Sequence, residues 1–163
     1  MNHLLPASFF QWCVNTPLAR LISQSMWGFA VLETFHIVGL VLLLGSIVVV
    51  DLTVLGFGMR QPAERLARQV APWALGGFVL MISSGVPMFL SAAVTYSGSI
   101  PFVIKMALLV SGIGLQLAIH TVSSMQSGSA AGKFAACVSL ICWFGVAYAG
   151  RGIAFEVLFG TGG

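Results

Sequence analysis

The run from Trp27 to Gly58 constrains this chain more than any other stretch, because its only ionisable residues are Glu33, His36 and Asp51. A bilayer core about 30 Å thick asks for roughly 20 apolar residues in a helix, and this run is longer. Ionisable groups at that depth are expensive unless they face protein, water or a partner. They should therefore share one side of the helix. At about 100° per residue, Glu33 and Asp51 coincide and His36 stands about 60° away. The stripe runs through Glu33, His36, Leu40, Leu44, Ile47 and Asp51, and the remaining helices have to supply what it faces.

Composition agrees with a membrane setting. Of 163 residues, 58% are hydrophobic and 7% charged, whereas ordinary soluble domains carry about 25% charge. Too few polar groups exist to cover a water-facing surface, so the sequence predicts one integral membrane domain. The net charge of +3 comes from few groups. It bears on topology and does not suggest nucleic-acid binding. Cys13, Cys137 and Cys142 form no CxxC, CxxCH or zinc spacing, which excludes covalently attached c-type haem and argues against a thiolate metal site. Cys137 and Cys142 read as buried small hydrophobes.

The fold class expected is all-α: an integral membrane four-helix bundle, up-down-up-down, preceded by a short interfacial helix. No cleavable signal peptide is expected, since the first residues lack a basic start and a long apolar run. Residues 4–14, with Phe9, Phe10 and Trp12, suit the headgroup level. Asn15, Thr16 and Pro17 read as a turn into one helix from Pro17 to Gly58, whose membrane span covers about 22–57. A basic loop follows with Arg60, Arg65 and Arg68, and Pro62 suits the first turn of the next helix. Glu64 and Arg68 make an i,i+4 pair. The second span, about 70–92, carries Pro87, where a kink is expected with Ser83 and Ser84 serving the freed carbonyl. A polar loop over 91–99 precedes the third span, about 100–123, where Lys105, Gln116 and His120 lie within about 60° of one another. A small-residue linker covers 125–133. The fourth span, about 134–155, holds Trp143, Tyr148 and Arg151, with Gly145, Gly150 and Gly152 inviting close helix approach. The tail from Gly160 reads as disordered. Arg60, Arg65, Arg68 and Lys133 fall on one side, which the positive-inside rule makes cytoplasmic. Both termini then lie in the periplasm of a bacterial inner membrane.

Counting about 1.5 Å per residue from the cytoplasmic ends places Glu33, His36, Lys105 and Arg151 at one outer level, with Met88 and Met106 nearby. Asp51 and His120 form a second, inner level, where the expected arrangement is a wetted pair near the headgroups. Intramembrane ionisable groups read as functional by default. The outer level suits haem b: His36 as axial ligand, Met88 or Met106 as sixth ligand, and Lys105 and Arg151 on the propionates. Trp143, Phe35 and Tyr148 would line the macrocycle. His3 or a second subunit is the only other source of an imidazole at that level. The plainer alternatives are an ion pair of Glu33 with Lys105 or Arg151 that fixes helix register, and a core histidine at 36 donating to a carbonyl.

The residues His36, Ile37, Val38, Gly39 and Leu40, then Gly45, Asp51, Leu52, Leu55 and Gly56, resemble a bacterial four-helix inner-membrane family of unknown function, from about Trp27 to Arg151. That resemblance implies fold and location. More loosely, His36 with Lys105 resembles the membrane protoporphyrinogen oxidase and copper-resistance membrane families, which implies a membrane oxidoreductase if the protein is an enzyme. The function expected is a haem b protein passing electrons between membrane quinol and a periplasmic redox partner, with quinone as a further ligand. The alternatives are a proton-coupled small-molecule transporter and a membrane-anchoring subunit of a larger complex. Expected partners are the lipid bilayer and either a second copy or the redox partner.

Overall fold

In a computed structural model, residues 6–57, 61–121 and 129–159 are described, without the side chains of 119–121, 154 and 156–159. The expectations for His3, Arg60, the His120 side chain, residues 125–128 of the linker and the tail from Gly160 fall outside these residues. Every described element is a helix: α1 (Ala7–Val14), α2 (Pro17–Gln24), α3 (Gly28–Leu55), α4 (Ala63–Tyr96), α5 (Ile100–Thr121) and α6 (Ala130–Phe159). Four of them, α3 to α6, are long and apolar enough to cross a membrane.

The single helix expected from Pro17 to Gly58 is two helices. Thr16 caps α2 by accepting the Ala19 N–H at 3.3 Å, with Pro17 in the first turn. Ser25 then adopts extended backbone, and its hydroxyl accepts the Gly28 N–H at 3.0 Å. A serine that offers its side chain to the next turn competes with helix continuation, and this one ends α2 and starts α3. At the other end, Gly56 takes a left-handed conformation with φ 95°. The Phe57 N–H reaches the Leu52 carbonyl at 2.8 Å and the Gly56 N–H the Thr53 carbonyl at 3.1 Å. This Schellman closure satisfies the last carbonyls of α3.

The second span is also longer than expected. α4 begins at Ala63, directly after Pro62, and continues to Tyr96. Its break is not at Pro87. The non-helical residue is Ala92, at φ −127° and ψ 22°. Ser91 donates its hydroxyl to the Met88 carbonyl at 2.9 Å, the acceptor that the Ala92 N–H would use in a straight helix. Ser83 and Ser84 both turn to the Leu80 carbonyl, at 3.1 and 2.6 Å.

The helices assemble by close backbone approach. A Cβ at Gly77 would stand 2.6 Å from the Leu43 amide nitrogen and 2.7 Å from the Gly39 oxygen. One at Gly39 would meet the Gly77 oxygen and the Met81 nitrogen at 2.9 Å. Paired glycines let the α3 and α4 backbones touch, which is how helices associate where lipid removes the hydrophobic drive. The register is antiparallel: Leu43 lies by Gly77, and His36 by Gly85. α5 and α6 make a second antiparallel pair, with Gly112 on Trp143, Leu108 on Gly145, and Pro101 on Gly152. α6 joins the pairs by packing on α3, around a core of Leu43, Ile47, Met81 and Trp143. The α5 backbone runs along α6 and stands off from α3 and α4, reaching that core through Leu109 and Ile113. α1 and α2 lie against α4, burying Cys13, Ala19 and Ile22. Cys142 is buried as expected, but Cys137 faces outward.

Gly77→Ala should cost about 1–3 kcal/mol through overpacking, read as a lower midpoint of thermal unfolding in detergent. Gly76→Ala, whose Cβ meets nothing within 4 Å, is the matched control and should leave the midpoint unchanged. Equal effects of the two would refute the glycine contact.

Candidate functional site

The α3–α4 contact decides what surrounds His36. Ser84 and Gly85 lie two helical turns from Gly77 along α4 and face the imidazole. The His36 Nδ1 stands 3.2 Å from Ser84 Oγ, and a Cβ at Gly85 would come within 3.0 Å of His36 Cε1. Glycine at 85 is thus what lets the ring lie flat against α4. Ser84 has one hydroxyl proton, and at 2.6 Å it goes to the Leu80 carbonyl. Its oxygen is left to accept, so Nδ1 carries the ring hydrogen and donates. The Met81 carbonyl is a second acceptor for the same ring. With Nδ1 as the donor to Ser84, Nε2 is the lone-pair-bearing nitrogen of the neutral ring.

Lys105 is the second member. It is half-buried on α5, and its Nζ lies 3.6 Å from where a Cβ at Gly150 would stand. The glycine leaves room for the lysine chain to lie across α6. Lys105 acts electrostatically on His36, so the two share one neighbourhood between the α3–α4 pair and α5. Among the described residues no carboxylate pairs with it.

The other outer-level residues are dispersed. Glu33 and Arg151 are exposed, and Glu33 is placed to act on Tyr96. Met88 is half-buried one turn beyond Ser84, whereas Met106 is 42% exposed. Trp143 is fully enclosed, but Phe35 and Tyr148 are 52% and 83% exposed and turn away from the core. They do not line an internal ligand. Their positions lie about 100° of helix from His36 and about 140° from Trp143, which puts them on the outer faces of α3 and α6.

Two groups escape a reading by ionisable residues. Phe89, Tyr96 and Phe102 stack near-parallel, with centroids 5.3–6.4 Å apart. They close the space between α4 and α5 near their connecting turn, about one helical turn from Lys105. The seven-residue spacing of Phe89 and Tyr96 marks a common helix face, the one available signal. The second group surrounds Asp51. Far from being wetted, Asp51 is 1% exposed, and its carboxylate is hydrogen-bonded by Ser139 and Gln116. The Gln116 amide also donates to Ser139 Oγ at 2.8 Å. Gln116 stood on the expected polar stripe of α5, but a lone serine in an apolar helix gave no warning of Ser139. Among the described residues, no three His, Cys, Asp or Glu side chains gather where they could hold a bare metal ion.

Ser84→Ala should leave the imidazole N–H without its side-chain acceptor. Nitrogen NMR of histidine-labelled protein should then pass from a single Nδ1–H tautomer to a mixture. An unchanged tautomer would show that Ser84 does not set it.

No curated protein and no solved structure matches the chain. A family model described as a family of unknown function (DUF6644) matches residues 9–156, and the chain belongs to that family.

Proposed function

We propose that this is a haem b-binding membrane protein that carries electrons between membrane quinol and a redox partner. The observation that supports it is the His36 Nδ1 contact with Ser84 Oγ at 3.2 Å. Metal-bound histidines almost always donate their other ring N–H to an oxygen acceptor, which fixes the ring and raises its basicity. His36 would hold haem iron in that arrangement, with Nδ1 kept by Ser84 and Nε2 toward the iron. The Lys105 ammonium nearby suits a propionate through a charge-assisted hydrogen bond. A macrocycle beside His36 would lie between the α3–α4 pair and α5, where α5 keeps its backbone away from both, and the Phe89, Tyr96 and Phe102 stack would bound it. Haem, when bound, supplies one-electron redox chemistry. The chain's own residues hold the ring nitrogen in register, compensate charge and exclude water.

The same proposal places the four spans up-down-up-down in a bacterial inner membrane with both termini on the periplasmic side. Its support is the distribution of basic residues, with Arg65, Arg68 and Lys133 at one end and Arg20 and Arg151 toward the other. The stacked aromatics and Lys105 then face the periplasmic half, where a redox partner would dock. A proton-coupled carrier is the second reading, favoured by the enclosure of Asp51 away from the haem site.

Protein purified after haem-replete expression should show a Soret band that sharpens on dithionite reduction. His36→Ala should abolish it, and Lys105→Ala should reduce haem retention several-fold while keeping the band. His120→Ala should leave the spectrum unchanged. An unpigmented wild-type preparation would end the haem reading.

A further inference from the structure

Asp51 poses a separate problem. Its side chain is 1% exposed. Ser139 and Gln116 supply its hydrogen bonds, yet Oδ2 has no partner among the described residues. A carboxylate oxygen cut off from water and left unpaired costs far more than a surface one, because no solvent replaces the lost hydration. Among the described residues one further buried polar atom shares this condition. Trp143 is 1% exposed and its Nε1 is unpartnered. Trp143 is four residues from Ser139 on α6, about 6 Å along the helix axis.

The charges nearby do not answer the carboxylate. On α4, Glu64, Arg65 and Arg68 are exposed, as is Lys133 on α6. On α5, Gln116 makes the contact, and His120 one turn on has a side chain outside the described residues. On α3, Asp51 is the only titratable group within several turns. The partners that touch the carboxylate are a neutral amide and a neutral hydroxyl. Gln116 turns its amide N–H to Ser139 and to the carboxylate, so Asp51 and its partners stand on three helices around one unneutralised negative charge, which a small hard cation would offset.

From this geometry we infer that Asp51, Gln116 and Ser139 form a site for one monovalent cation, a proton or a sodium ion, enclosed between α3, α5 and α6. Sodium would use Asp51 Oδ2 with Ser139 Oγ, and with Gln116 Oε1 once that amide turns over. A proton would sit on Oδ2 itself and leave the other oxygen to Ser139 and Gln116. In both cases the bound cation supplies the missing partner of Oδ2. The site shares no residue with the His36 centre, and it stands whether or not that centre holds haem.

The test uses the full chain in lipid nanodiscs. Sodium chloride is titrated against choline chloride at constant ionic strength, with thermal unfolding as readout. If sodium is the occupant, the midpoint rises and saturates in the wild type, since a ligand that binds only the folded state stabilises it. It stays flat in Asp51→Asn. If a proton is the occupant, sodium has no effect. Infrared difference spectra between about pH 5 and about pH 9 then show a carboxylic-acid carbonyl band that Asp51→Asn removes and Ser139→Ala moves in frequency. Should Asp51→Asn fail to fold, Ser139→Ala decides: an unchanged sodium response and an unchanged band overturn the site. So does a wild type with neither response, or a response that His120→Ala abolishes and Asp51→Asn retains.

Discussion

The backbones of α3 and α4 meet at Gly39 and Gly77 with no side chain between them, and the outer site depends on that contact. A methyl group at Gly77 would lie 2.6 Å from a backbone nitrogen, so the two helices could not keep this separation with any larger residue. Two helices in van der Waals contact along their backbones have little freedom to slide. The register set at 39 and 77 therefore carries seven or eight residues along α4 and puts Ser84 and Gly85 opposite His36. Gly85 repeats the device for an imidazole: the absent side chain lets a ring lie where a Cβ would stand. A side chain held from two directions, by packing and by a hydrogen bond, keeps one tautomer and one orientation. An axial ligand needs both.

The second helix pair is built differently. α5 rests on α6 through glycines that receive side chains, with Trp143 over Gly112, Leu108 over Gly145 and Lys105 over Gly150. Side chains, not backbone, therefore set the distance. α5 has little backbone contact with α3 and α4, and the structure is asymmetric as a result: tight between α3 and α4, looser beside α5. The only half-buried cation among the described residues, Lys105, sits on that looser side. There it lies across Gly150 of α6 and acts on the His36 imidazole.

Much of this was legible in the chain. The long apolar runs fixed the number of spanning helices, and the angular spacing of Glu33, His36 and Asp51 pointed to an inward stripe. Two of the three do face protein. Glu33 does not, because it lies near the helix start, where burial runs out and an exposed carboxylate costs little. The helix break at Ser25 and the kink at Ala92 were missed for one reason. Both arise from a serine hydroxyl bonding a nearby backbone group, and a hydropathy pattern cannot see that. The role of Gly77 over Gly76 was equally hidden, since only the crossing point decides which glycine is needed. Ser139 was invisible because its importance comes from another helix.

The two polar centres share α3 as a common rod but are fifteen residues apart, about 22 Å along the axis. Between them lie Leu43, Ile47 and Trp143, a packed apolar layer, with the buried Ser46 turning its hydroxyl back to the Leu42 carbonyl. At an effective dielectric of about 20, unit charges that far apart interact by about 0.8 kcal/mol, a few-fold in an equilibrium constant. Electrostatics alone therefore couples the centres weakly. Stronger coupling would have to come through the packing, and Trp143 is the residue positioned for it. It belongs to the apolar layer and presses the side of its ring that carries the unpartnered N–H on Gly112 of α5, one turn from Ser139. A shift of α5 driven by a ligand beside Lys105 would reach Asp51 along that path, through Gly112 and Gln116 on the same helix.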